Sequence, residues 1–465
     1  MKNKFLLCCS VLFSLSFLVG CGGNSKIQLK IGFWPLSTDK EDVSMYTSWK
    51  ANFEKDFPQY EIVADHYEYS KDTIIARARS GTLPTVFQTW FTEPESLVKS
   101  GFIRPITTQI NSLGWLDKME SGMKNALTFD DQVYGIPRDG YGLGLLINLA
   151  TFYDNGLIDK DQNGKYVLYD ESNKPLYPTT FEEITEAGRT ISESSDTKAI
   201  YICSTNKNGG WQLSNYAWNF GATLVKEEGG KIKANLDSKE VVAALDWIKE
   251  LKNEDLLLNQ KSVEYEGWYN KIGNQVAMAV VGNDVIKLAA TQAHLNMDDF
   301  AFVPMPSDGI NKRYSLYGGT PYVFAKNASD EQVEGVLKFF DYIGRSPNIT
   351  EISKEAMRYG FEVAKRKNQP IMPEISPWIN EEYVNYKDEL LNEFINVNMG
   401  YDNEFFDNID ENKHPEVEYL PQEMYEILDN AISQVFENPS TCNTQTILTT
   451  CNAKYQAKLD EEYNK

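Results

Sequence analysis

Arg138-Asp139-Gly140-Tyr141 sets a guanidinium, a carboxylate and a phenol ring within four residues, directly after the strand-like run Val133-Tyr134-Gly135-Ile136-Pro137. Such groups suit non-covalent recognition. Planar polar groups make directional hydrogen bonds, and flat rings stack on apolar faces. Similar side chains recur near the ends of predicted strands or beside loops. Trp34 ends the first strand, and Trp90 and Phe91 follow Val86-Phe87. Trp211 and Trp218 flank the Gly/Asn-rich stretch 206–210, and Trp268 and Tyr269 lie in a polar stretch before the strand 276–279. Asn283 and Asp284 end that strand, and Tyr317 precedes Gly318-Gly319. In open α/β sheets the carboxyl ends of the strands face the ligand crevice. All these residues are therefore candidate ligand contacts, the 138–141 cluster first among them. Trp49 and Trp247 lie on helical stripes and are assigned to the core.

Bond-making chemistry finds little support. There is no Gly-x-Ser-x-Gly elbow, no His-Glu-x-x-His, no Cys-x-x-Cys and no phosphate loop. Gly140-Tyr141-Gly142-Leu143-Gly144 has the wrong spacing for a dinucleotide fingerprint, and His66, His294 and His414 are scattered. With 67 acidic residues, any chosen pair of carboxylates is uninformative about glycoside hydrolysis. No catalytic residue and no cofactor is expected. Asp159, Asp161, Asn163 and Asp170 fall at calcium-loop positions around Gly164. However, the last is Asp rather than Glu, and no helix follows. A hairpin turning at Asn163-Gly164 is the preferred reading.

The amino terminus bears on where the protein works. Lys2 and Lys4 precede an apolar run from Phe5 to Val19, and Gly22, Gly23, Asn24 and Ser25 follow Cys21. This is the layout of a secretory signal, too short to span a bilayer comfortably. Leu18-Val19-Gly20-Cys21 resembles a bacterial lipobox, which implies a signal over 1–20, acylation of Cys21 and a tether over 21–26. The expected location is extracytoplasmic, anchored by lipid to a bacterial membrane. The formal charge is −22, which argues against nucleic acid and against electrostatic docking on anionic lipid. Cys442 and Cys451 lie close in the sequence of an exported chain. They are a candidate disulfide, with two free thiols as the alternative.

The elements that would position the candidates read as α/β. Ile27, Leu29, Ile31 and Phe33 alternate as a strand. Val43, Tyr46, Trp49, Phe53 and Phe57 follow helical spacing, and Pro58 stops them. Strands near 61–66 and from Val86, with a helix near 72–79 between them, predict a parallel sheet with crossover helices. Capping boxes start helices at Thr180, Asp237 and Ser329. From about residue 377 onward the chain reads as helices, over 383–398, 422–436 and 445–463, and loops.

Several short motifs, in this order and spacing, resemble the extracellular solute-binding proteins of ABC importers. The resemblance is to the maltose-binding-protein-like family, which mostly binds sugars and oligosaccharides. Ser80-Gly81-Thr82-Leu83-Pro84-Thr85-Val86 is similar to that family's SGxxPDV turn, and Asp131-Gln132-Val133-Tyr134-Gly135-Ile136-Pro137 to its GKxYGIP. Asn148 with 152–157, Pro178-Thr179-Thr180-Phe181-Glu182-Glu183 and Val276-Ala277-Met278-Ala279 to Gly282 resemble YNxxxFxxxGL, PxTWDE and AAMxxxG. Thr85, Asp131 and Phe181 depart from the pattern. Asn283-Asp284 stands where the family has a tryptophan.

The resemblance implies a two-lobed periplasmic-binding-protein fold with hinge crossovers near 142–148 and 302–306. Residues 27–145 and 305–345 would form the N-terminal lobe. Residues 146–304 and 346–465 would form the C-terminal lobe, with a helical tail packed on it. The resemblance further implies a monomer that binds a carbohydrate between the lobes and delivers it to ABC permease subunits. A secreted carbohydrate-active enzyme and a glycan-binding surface lipoprotein are the competing readings.

Overall fold

A computed structural model describes residues 26–465; Cys21 and the signal-like segment lie outside them. Ile27–Ile31 pairs in parallel with Tyr60–Ala64 and with Val86–Gln88. The helix Lys40–Asp56 crosses over between the first two strands and is capped by Asp39. Val86–Gln88 then pairs antiparallel with Ser315–Phe324.

One long strand, Gly135–Asn148, ties the molecule together. Its first half pairs antiparallel with Ser315–Phe324, from Gly135 opposite Val323 to Gly142 opposite Tyr317. Its second half pairs with Val276–Gly282 and with Phe300–Pro304. The strand Lys198–Tyr201 extends that side in parallel. The apolar side chains accordingly fall into two principal cores. Leu29, Ile31, Phe53, Ile136 and Phe340 share one. Leu143, Ile147, Ile200, Val280 and Phe302 share the other. The expected crossing near residue 142 is where the strand changes partners. The return passes through 305–314 between Pro304 and Ser315.

The tail divides differently from expectation. Helices Glu351–Arg366 and Glu381–Phe394 give Met357, Tyr383, Leu390 and Phe394 to the first core. Asn403–Asn412, Pro421–Glu437 and Thr444–Glu462 instead give side chains to the second core, among them Phe405, Leu428 and Leu448. Residues 346–396 therefore pack with the first lobe rather than the second. Amphipathic spacing marks a helix as having a buried face, but not which core that face meets. A short strand in the tail, Lys413–Pro415, pairs with Ser315–Tyr317.

Three further readings are settled locally. Thr180 and Ser329 make the expected capping boxes, whereas the third helix is capped by Ser238, one residue later than read. Asp159–Asp170 holds a tight turn, with Gly164 in the left-handed region at φ 78°. The Asp161 carboxylate accepts the N–H groups of Asn163 and Lys165 at 2.8 and 2.9 Å. Asp170 does the same for Ser172 and Lys174. Both carboxylates are engaged by backbone donors of their own turns. Cys442 and Cys451 are both free thiols. Cys451 lies in the helix Thr444–Glu462, while Cys442 lies ahead of its cap Asn443. The helical rise of about 1.5 Å per residue carries the two apart, whereas a bridge needs Cα atoms within about 7 Å.

The second lobe also contains a pH-sensitive group. Asp402 is 2% exposed and accepts the Phe302 N–H at 2.7 Å. Burial pushes its pKa up to about 7, against the pull of that hydrogen bond. The folded chain thus keeps a proton that the unfolded chain releases near pH 4. The associated stability is complete below the unfolded pKa and is lost as pH rises through 7. It amounts to at most about 4 kcal/mol. The melting temperature is expected to be a few degrees higher at pH 5 than at pH 8. Asp402→Asn should shrink that difference, which calorimetric melting at the two pH values would check.

Candidate ligand-binding cleft

The two halves of Gly135–Asn148 belong to different lobes, so the residues at its midpoint lie between them. Arg138 and Asp139 stand just on the first-lobe side. Arg138 donates from Nε to Asp139 at 2.6 Å and from Nη2 to Thr320 Oγ1 at 3.4 Å. The Thr320 N–H donates to the other Asp139 oxygen at 3.2 Å. The pair is thereby clamped to the neighbouring strand with both side chains partly accessible.

Tyr141, two residues on, faces the second lobe. Its ring meets Trp211 edge-on at 6.0 Å, and Trp211 meets Tyr265 edge-on at 5.5 Å. All three are partly exposed. Glu416 joins this trio. It accepts the Tyr425 hydroxyl at 3.1 Å and the Tyr141 hydroxyl at 3.4 Å, and it is hydrogen-bonded by the Trp211 side chain. Withdrawal from water pushes Glu416 up to about 7, although those hydrogen bonds favour its charged form. The result is a rigid aromatic corner around one carboxyl, a surface that stacks and hydrogen-bonds together.

Asn283 and Asp284 play different parts. Asn283 is buried, and its side-chain oxygen accepts the Gly142 N–H at 2.8 Å, pinning the second-lobe strand end to the crossing strand. Asp284 beside it is open to water yet enclosed by the lobes. That enclosure first, and the Asp139 charge second, push it up to about 6. On the first lobe Trp90 is 47% exposed and stands edge-on to Tyr69 at 5.2 Å. Phe91 hydrogen-bonds through its N–H to the Gly319 carbonyl, opposite Gly140 on the crossing strand. Trp34 is nearly buried and packs edge-on against Tyr46 at 5.4 Å. The lobes also meet where Gln422 donates to Thr92 at 3.2 Å and where Lys99 lies 3.7 Å from Glu462.

The structure thus brings Arg138, Asp139, Tyr141, Trp211 and Asp284 together, with Trp90 and Phe91 alongside. Trp34 stays in the first core, and Trp268 with Tyr269, Trp218 and Tyr317 are placed elsewhere. Trp268 is 1% exposed in the second core, packed edge-on to Tyr269. Trp218 is buried and stacks on His414 at 4.0 Å. Tyr317 is buried and gives its hydroxyl to Glu120 at 3.2 Å. Each was read from its place near a strand or loop, and such a place does not settle which way a ring points. Sequence reasoning also missed Tyr265, Glu416, Tyr425 and Arg345. Tyr265 lies in the turn already singled out by Trp268, and Arg345 lies just past the helix that starts at Ser329. Nothing local marks Glu416.

Residues 48–362 match the bacterial extracellular solute-binding protein family. The chain belongs to that family. This solute-binding protein is 24% identical over 268 residues to the diacetylchitobiose binding protein DasA of Streptomyces coelicolor, covering 54% of this chain. The match spans 57% of that relative's length. The fold is similar to the GacH receptor of Streptomyces glaucescens, solved with acarbose, at a TM-score of 0.66 and 14% identity over 94% of this chain and 99% of the other. It is also similar to UgpB of Mycobacterium tuberculosis, solved with glycerophosphocholine, at 0.66 and 12% over 95% and 100%. The architecture is the two-lobed solute-binding fold. Membership of an extracellular family places the protein outside the cytoplasm. Among the described residues no helix is long and apolar enough to cross a membrane.

Proposed function

We propose that this solute-binding protein captures an oligosaccharide in the interlobe cleft and presents it, by lobe closure, to an ABC permease. The supporting observation is the partly exposed Trp211, held edge-on between Tyr141 and Tyr265 around Glu416. Ring faces suit the C–H faces of pyranoses, and the nearby Arg138, Asp139 and Asp284 suit their hydroxyls. Closure follows if the ligand touches both lobes, because only contacts made better in the closed state shift the equilibrium toward it.

The protein acts as a binding protein and leaves its ligand chemically unchanged. It works as a monomer, anchored by acylation at Cys21. The first strand begins at Ile27, so the body would ride close to the membrane. More than one acyl chain is needed for stable anchoring.

The test is intrinsic fluorescence and melting of the purified protein against mono- and oligosaccharides, with masses taken after long incubation. One saccharide class should give a saturable signal and raise the melting temperature with its mass unchanged. Silence across all saccharides would remove the carbohydrate reading, and turnover would remove the non-enzymatic one.

A further inference from the structure

The first-lobe flank of the cleft has a cation without a protein partner. Arg345 follows Gly344, which sits in the left-handed region at φ 69° just past the helix Asp330–Tyr342. Its side chain is accessible. Among the described residues its guanidinium makes no hydrogen bond and no ion pair. Its electrostatic neighbours are Tyr322, Tyr46, Tyr383 and Glu374. The phenol of Tyr46 is held up to about 12 by enclosure, so it remains neutral and cannot balance the charge. Arg138 is close enough to repel Arg345.

The charged groups around Arg345 are engaged with one another. Arg138 is paired with Asp139 at 2.5 Å, and Lys387 with Glu374 at 3.0 Å. Lys287, from the second lobe, acts on both Asp284 and Glu374. Asp42, beside Tyr46, is held together with Asp39 by Lys367, so the neighbouring acids already have cations and the Arg345 guanidinium is left without a partner. This unpaired cation lies in a chain of net charge −22. Gly140 pairs with Ile375, which brings the 374–376 segment against the crossing strand beside Asp139. The unpaired guanidinium thus lies near Arg138, on the first-lobe side of the crossing strand whose Tyr141 carries the aromatic corner.

We propose that the ligand is an acidic saccharide whose carboxylate is taken by Arg345, backed by Arg138, with another ring of the same ligand on the Trp211 side. This rests on the carbohydrate reading above. A guanidinium offers a planar fork of donors that a carboxylate meets in bidentate fashion. One carboxylate neutralises that guanidinium. A phosphate dianion would leave a second negative charge among Asp139, Asp284 and Glu374.

The test uses the purified protein and titration calorimetry. Galacturonate, glucuronate and mannuronate oligosaccharides are each paired with the neutral analogue of the same linkage, and glycerophosphodiesters and sugar phosphates complete the panel. At least one uronate should bind about tenfold or more tightly than its neutral partner, weakening as salt is raised. Arg345→Gln should weaken that uronate by about 10- to 100-fold and its neutral partner by less than about threefold. Arg345→Lys should retain part of the preference. A neutral analogue that binds as tightly as every uronate overturns the proposal but leaves carbohydrate binding intact. So does an equal loss of both ligands in Arg345→Gln. Binding of a phosphodiester and of no saccharide overturns both readings. Silence across the whole panel overturns the acidic-saccharide assignment as well.

Discussion

Trp211→Ala is expected to weaken saccharide binding by about 10- to 100-fold while moving the melting temperature little. A ring face that stacks on a sugar contributes about 1.5–3 kcal/mol on burial, which sets that range. The side chain is partly exposed, so its removal leaves an open surface in the ligand-free protein rather than a sealed cavity. Trp268→Ala removes the same side chain from a site 1% exposed in the second core. There the expected cost is stability, about 3–5 kcal/mol, and the folded fraction should still bind. Titration fluorescence and melting on the two variants would show the crossed result. If Trp268→Ala alone lost affinity, the aromatic corner would not be the site.

That contrast also marks how far sequence reasoning reached. Strand alternation, helical stripes and capping boxes made the α/β layout readable, because each depends on neighbours within a few positions. The crossing strand was legible because Gly135–Asn148 carries a family-like motif through to a polar cluster, and Arg138, Asp139 and Tyr141 fall where that strand changes lobes. What failed depended on contacts far apart in sequence. Tyr141 and Glu416 are brought together by the pairing of Lys413–Pro415 with Ser315–Tyr317. Trp218 and Trp268 had the right residue type beside the right segments, but their rings turn inward. Arg345 gains its meaning only from the distribution of charge around it, which requires four separate segments to be in place.

The second large effect is expected at Gly210. The helix Asn208–Asn219 crosses Pro421–Glu437 so closely that a Cβ on Gly210 would lie 2.1 Å from the Tyr425 carbonyl oxygen and 2.6 Å from its Cα. Backbone cannot swing aside as a flexible side chain can, so the helices must separate. Separation also breaks the local cap. Lys207 enters the helix in the left-handed region without a capping side chain of its own. The Asp429 carboxylate supplies the acceptor from the other helix, taking the N–H groups of Lys207 at 2.5 Å and Gly210 at 2.7 Å. Gly210→Ala should therefore cost about 3 kcal/mol or more, combining overpacking with a weakened cap. Function should suffer beyond that loss. Trp211 follows Gly210 directly and Tyr425 is the residue struck, so two of the three donors to Glu416 move together. The folded fraction, measured well below its melting point, should bind at least about tenfold more weakly. Gly360→Ala is the matched comparison, since it lies exposed in the helix Glu351–Arg366 with nothing within 4 Å of the added carbon. It should gain about 0.5–1 kcal/mol from helix propensity and leave affinity unchanged. Opposite signs from the same substitution would tie the affinity loss to the helix crossing rather than to glycine replacement as such.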